Sequence, residues 1–190
     1  MSLVRATASS SLKVSCYLLE PKDLGIETFA APDDEFFAYY HPKQPETLET
    51  ALRELHNYVV EEGPFDAVLA FSQGCALAAS FIVRNQAARL LPHFKFAVFF
   101  SGGPACSVEQ QGGRLFEQGD ATIDGFITTP TLHVWGANDH HNPKDNRLLG
   151  EQCSNDTKSI FVHQGEHEIP GSGKTDAVVE ITHRIRRLFC

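Results

Sequence analysis

No apolar run in this chain approaches the roughly 20 residues that a membrane-spanning helix needs, so no membrane partner of that kind is expected. Basic residues are in the minority, 16 Lys and Arg against 24 Asp and Glu. The net charge of −8 argues against a nucleic-acid surface, which requires a basic patch. The five cysteines, at 16, 75, 106, 153 and 190, are odd in number and include no C-x-x-C pair. That spacing excludes the usual zinc frameworks and a disulfide scaffold, and it suits a reducing cytosol. Residues 1–19 are Ser-rich with Arg5 and Lys13, but they lack the continuous apolar segment of a secretory signal. A frayed terminus and a cytoplasmic location are the expectation. An H-E-x-x-H zinc motif, an internal repeat and a low-complexity tract are also missing.

What is present reads as one globular domain. At 190 residues, with 42% hydrophobic and 21% charged residues, the chain is long enough to bury a single core. Residues 14–19 form a weak strand candidate. Residues 29–42 read as a loop crowded with Phe36, Phe37, Tyr39 and Tyr40. Those rings serve equally as core or as the lining of an acyl pocket. Leu48, Leu52, Leu55 and Val59 recur at helical steps and predict a helix over 47–62, closed by Gly63 and Pro64. Strands are predicted at 67–71, 94–100, 129–135 and 159–163. The run at 94–100 lacks polar alternation, as a strand covered on both faces would. Helices are predicted at about 143–152 and 175–189, the last with Val178, Ile181, Ile185 and Leu188 on one stripe. Residues 105–128 read as a polar excursion above the sheet. The alternation implies an α/β fold with a mostly parallel sheet and helices on both faces.

The chemistry concentrates where these strands end. FDAVLAFSQG, residues 65–74, runs an apolar strand into Ser72 and on into a helix rich in small residues. That is the nucleophile-elbow pattern, with Ala70 in place of its first glycine. Later strands end at Asp139 and at His167. A serine hydroxyl needs a base to take its proton, histidine titrates near neutrality, and a carboxylate orients the imidazole. In a parallel sheet the loops that leave the carboxyl ends of the strands share one side, so the three groups can meet. Asp145 and Asp156 are rivals for the acid, but one falls within a predicted helix and the other before a strand. His163, His140 and His141 are rivals for the base. The first lies inside a strand, and the other two adjoin the acid itself. Residues 171–175, GSGKT, miss the phosphate-loop pattern because Glu168 stands where its first glycine belongs. A capping role for Ser172 or Thr175 at the last helix is expected instead. A metal site from Asp139, His140, His163 and His167 lacks helical ligand spacing.

FDAVLAFSQG, HVWGANDHHNP and HQGEHEIPG together resemble the fungal serine hydrolase (FSH) family, over about residues 29–189. The resemblance implies a small α/β-hydrolase fold, with residues 29–190 as a single hydrolase domain behind a poorly matched segment, 1–28. It implies Ser72 as nucleophile, Asp139 as acid, His167 as base and the Gln73 N–H as an oxyanion donor. It implies hydrolysis of carboxylic esters or thioesters without metal or organic cofactor. For fungal relatives it extends to release of a polyketide from the acyl carrier domain of its synthase. One departure is visible. The family begins with a central strand running into a His-Gly loop that carries part of the oxyanion hole, and no His-Gly pair precedes Ser72. The usual first strand is therefore expected to be lacking, through a shortened start or with residues 12–19 standing in. Loss of one oxyanion donor costs about 10²–10³ in kcat. A hydrolase-shaped binding protein with impaired catalysis is the competing expectation.

Overall fold

The apolar runs Ala67–Phe71 and Phe96–Phe100 lie side by side and parallel at the centre of the main sheet. The computed structural model describes residues 1–4, 9–11, 17–19, 36–41, 43–90, 94–107, 114–115, 126–140 and 143–189. In chain order these form β1 (Ser2–Val4), β2 (Ser9–Ser11), β3 (Tyr17–Leu19), β4 (Phe36–Ala38), α1 (Pro45–Glu62), β5 (Ala67–Phe71), α2 (Gln73–Ala88), β6 (Phe96–Phe100), β7 (Cys106–Ser107), β8 (Arg114–Leu115), β9 (Thr131–Gly136), α3 (Pro143–Glu151), β10 (Lys158–His163) and α4 (Thr175–Leu188). The main sheet has the order β10-β9-β6-β5-β1-β2. Strands β5, β6, β9 and β10 are mutually parallel, so their carboxyl ends share one edge.

Side-chain alternation divides the core. Val68 and Ala70 of β5, with Ala97 and Phe99 of β6, face Leu48, Leu52, Leu55 and Val59 of α1 and Leu77, Phe81 and Ile82 of α2. Ala67, Phe96, Val98, Phe100, Leu132 and Val134 face the other way, onto Ile181, Ile185 and Leu188 of α4. Every residue of β6 is buried, as its unbroken apolar run demands. Helices therefore cover both faces. Among the expected stripe residues of α4, Val178 at the helix start stays 36% exposed, outside the core cluster.

Local departures from expectation have local causes. Helix α1 starts at Pro45, whose fixed φ suits the first turn, two residues before the expected start at 47. Helix α4 is preceded by Lys174 rather than capped by Ser172 or Thr175. The turn into it closes through the backbone, Lys174 N–H to Gly171 O at 2.9 Å, and needs no side-chain cap. The expected loop over 29–42 contains β4, which pairs antiparallel with β3 from Tyr17↔Ala38 to Leu19↔Phe36. Its partner is remote in sequence, so periodicity over so short a run does not reveal it. Residues 14–16, 29–35 and 42 of those two expectations lie outside the described residues. Within the excursion, β7 and β8 pair antiparallel. The flank of β5 opposite β6 is occupied by β1, antiparallel, with Ser2 opposite Leu69 and Val4 opposite Ala67. The amino end of β1 therefore lies at the carboxyl end of β5.

Candidate active site

Ser72 sits between β5 and α2 with φ 52° and ψ −124°. This region is costly for any residue with a Cβ. It is held by backbone bonds on both sides: Ser72 N–H to Phe100 O at 3.0 Å, and Cys75 N–H to Ser72 O at 2.9 Å. The strain lifts the side chain off the strand. Its hydroxyl makes no capping bond to the helix, so it stays available. Gly74, Cys75, Ala76, Ala78 and Ala79 are buried, which lets α2 lie close against the sheet. Gly102, just past β6, meets Cys75 so closely that a Cβ there would collide with its side chain. Gln73 opens α2, so helical geometry leaves its N–H no intrahelical acceptor and the helix dipole adds positive potential there.

Asp139 lies three residues beyond β9, where its N–H closes a turn onto Gly136 O at 3.1 Å. Its side chain is 1% exposed. The loop after β10 is laced to it: Ala137 N–H donates to His163 O at 2.7 Å and Asn138 N–H to Gly165 O at 3.0 Å. Gly136 permits this approach, because a Cβ there would strike the carbonyls of Gly165 and Glu166. The lacing brings His167 over Asp139. His167 Nδ1 stands 3.0 Å from Asp139 Oδ2 and 3.2 Å from Oδ1, and its Nε2 stands 3.0 Å from Ser72 Oγ. A carboxylate only accepts, so Nδ1 carries the proton and Nε2 accepts from the serine hydroxyl. The Phe71 ring flanks the imidazole at 5.0 Å between centroids, and His167 keeps 23% side-chain exposure.

The three residues singled out by strand ends are thus brought together, and their rivals are elsewhere. Asp145 lies on α3, where burial raises its carboxyl above the ordinary range. Asp156 is exposed in the turn before β10, and His140 is exposed. His141 lies outside the described residues. His163 is buried, accepts the Gly165 N–H at Nδ1 over 3.1 Å, and is held below its ordinary pKa chiefly by that burial. Lys174 of the GSGKT run is ion-paired with Glu168.

Two side-chain roles escaped the sequence reading. Asn146, buried on α3, directs Nδ2 at Asp139 Oδ2 from 3.4 Å. The Gln73 side chain reaches the backbone of Tyr39 and Tyr40. Neither carries a motif: Gln73 acts on residues more than thirty positions away, and Asn146 reaches the acid from a separate element, α3.

A hydroxyl bonded to an imidazole that is bonded to a buried carboxylate can attack a carbonyl while passing on its proton. Known proteins of similar sequence agree with that chemistry. "Esterase FPY3" of Fusarium mangiferae is 39% identical over 152 residues, 79% of this chain and 68% of that one. "Esterase OVCA2" of Danio rerio is 32% identical over 135 residues, 67% of this chain and 49% of that one. The chain therefore spans about half to two thirds of the length of these curated relatives. Among solved structures, Zea mays acyl-protein thioesterase 2 overlays with a TM-score of 0.49 at 15% identity, over 79% of this chain and 73% of that one. Residues 8–179 match the family described as "Serine hydrolase (FSH1)". With a parallel sheet that gathers a serine, an acid and a histidine at its carboxyl edge, and that match over most of its length, the chain belongs to the FSH1 serine hydrolase family and has an α/β-hydrolase fold.

Proposed function

We propose that this protein is a serine hydrolase that cleaves carboxylic esters or thioesters through an acyl-enzyme on Ser72. The observation that carries the reading is the continuous chain from Ser72 Oγ through His167 to Asp139, with contacts of 3.0 Å on each side of the imidazole. Ser72 Oγ attacks the acyl carbonyl as its proton passes to His167 Nε2. Asp139 holds the tautomer and steadies the imidazolium. His167 then returns the proton to the departing alcohol or thiol. In the second half, His167 draws a proton from water, whose oxygen attacks the acyl carbon. Ser72 leaves as the free hydroxyl and the acid is released. The Gln73 N–H, at the start of α2, takes part of the oxyanion charge. None of these steps calls on a metal or organic cofactor.

In its narrower form the proposal is the release of a polyketide acyl chain from the carrier domain of a synthase, in a fungal cytosol. The support is the likeness to fungal relatives such as the Fusarium esterase and, for the compartment, free thiols at Cys75, Cys106 and Cys153. Residues 29–190 form the hydrolase domain in this reading. A second reading, a hydrolase-shaped binding protein, draws on β1. That strand runs antiparallel to β5, so its own carboxyl end, Val4, pairs with Ala67 at the amino end of β5, the end remote from Ser72.

A fluorophosphonate probe separates the two. The wild-type protein should be labelled and Ser72→Ala should not. Equal labelling of both would remove Ser72 from the role, and a folded wild-type protein that stays unlabelled would favour the binding reading.

A further inference from the structure

We propose that Glu168, held by Lys174, is a positioning residue that sets the turn aiming His167 at Ser72. The proposal rests on the reading of His167 as the catalytic base. Glu168 N–H donates to Glu166 O at 3.0 Å, which closes a three-residue γ-turn with His167 at its centre. His167 keeps a negative φ, as the inverse form of that turn requires. A second bond crosses the same turn the other way. Glu168 Oε1 accepts the Glu166 N–H at 3.0 Å. The residue after the histidine thus satisfies both the donor and the acceptor of the residue before it, so the Glu168 side chain helps fix where the imidazole points.

The carboxylate is itself held from outside the turn. Lys174 Nζ pairs with the same Oε1. The lysine is fixed by its own backbone: its N–H donates to Gly171 O at 2.9 Å, and its carbonyl accepts the Val178 N–H at 3.1 Å, the bond that opens α4. Helix α4 in turn packs on the sheet through Ile181, Ile185 and Leu188. The carboxylate and the ammonium meet over Gly165, where a Cβ would strike both. Gly165 O accepts the Asn138 N–H from the loop that carries the acid. His167 is therefore referenced to Asp139 through Gly165, and to α4 through Glu168 and Lys174. The ammonium of Lys174 first, and the Glu166 N–H after it, hold the Glu168 carboxyl below the usual carboxylate range, so the pair is charged at neutral pH. Its side chains are 39% and 37% exposed, so it adds little to the stability of the fold. What it supplies is direction. The GSGKT run, which misses the phosphate-loop pattern, thereby gains a use: its lysine steers the base.

The test uses Glu168→Leu, Lys174→Met, Lys174→Arg and the double variant Glu168→Leu with Lys174→Met. Hydrogen exchange of the peptide covering residues 164–169 should quicken in Glu168→Leu and in Lys174→Met. With p-nitrophenyl acetate, kcat should fall about tenfold in each, short of the roughly 10² that a full 1 Å misplacement brings. KM should stay unchanged, because the clamp acts through His167 and not on the substrate. The double variant should lose no more than either single one, since each removes the same clamp. Lys174→Arg should keep most of the wild-type rate, because a guanidinium pairs with the same carboxylate. Salt screens an exposed pair, so about 0.5 M NaCl should lower kcat in the wild-type protein and spare Lys174→Met. Wild-type kcat in Glu168→Leu overturns the proposal, and so does a loss confined to KM. Additive losses in the double variant overturn the clamp as a unit. The salt response needs only the wild-type protein and Lys174→Met, so it decides the matter even where Glu168→Leu does not fold: an equal loss in both overturns the proposal. Failure of the base reading shows separately, as His167→Ala turning over ester at the wild-type rate, and the exchange measurement still tests the clamp.

Discussion

Asp139 illustrates how much a single buried carboxylate depends on its donors. His167 Nδ1 approaches both of its oxygens, and Asn146 Nδ2 reaches Oδ2 from 3.4 Å. A donor on a carboxylate oxygen fixes its orientation, and the carboxylate in turn orients the imidazole. Asn146→Leu should therefore lower ester turnover about fivefold, in keeping with about 1 kcal/mol for one long hydrogen bond. Unchanged turnover in a variant that keeps the wild-type circular dichroism would mean that Asn146 only fills space. Ser72 and its two partners were legible from residue type and order. Asn146 was not, because an asparagine within an ordinary helix carries no signal until the fold turns it toward the acid.

At the scale of elements, the site depends on how closely two loops approach. The loop after β9 and the loop after β10 are joined by Ala137 N–H to His163 O and by Asn138 N–H to Gly165 O. A methyl group on Gly136 would meet two carbonyls of the second loop. Gly136→Ala should fold but displace His167 from Ser72. A misplacement of about 1 Å at the chemistry costs on the order of 10² in rate. Ester turnover together with circular dichroism checks this, and near-normal turnover would show that the loops adjust freely. The elements themselves were readable to different degrees. The stripe Leu48, Leu52, Leu55 and Val59 announced α1, and its members are at most 4% exposed. The unbroken run of β6 announced a strand covered on both faces. By contrast, β4 read as loop, because three residues carry too little period and its partner β3 is far away in the chain.

For the whole molecule, buried histidine makes stability depend on pH. His133 is 2% exposed on β9, with Nε2 3.0 Å from Thr131 Oγ1 and its ring against Phe99. Burial, and after it the charge of Lys158, holds its pKa down to about 4. The unfolded chain binds a proton near pH 6.5 while the folded chain does not, so stability is full above pH 6.5 and is lost as pH falls toward 4. Between pH 7.5 and 5 this single group should cost about 2 kcal/mol. His163 acts in the same direction. Urea unfolding at the two pH values should show that loss in the wild-type protein and a smaller one in His133→Gln. An identical loss in both would assign the pH dependence to other groups. The amino-acid sequence by itself determined the α/β alternation, the strand ends and the order serine, acid, histidine, because local periodicity and turn chemistry act over a few residues. Tertiary structure alone decided that β1 flanks the elbow strand in the antiparallel sense, that Asn146 reaches the acid, and that Gln73 grips the backbone of Tyr39 and Tyr40. Those contacts join residues tens of positions apart or on separate elements. Only the packing of the sheet and its helices sets which of them meet.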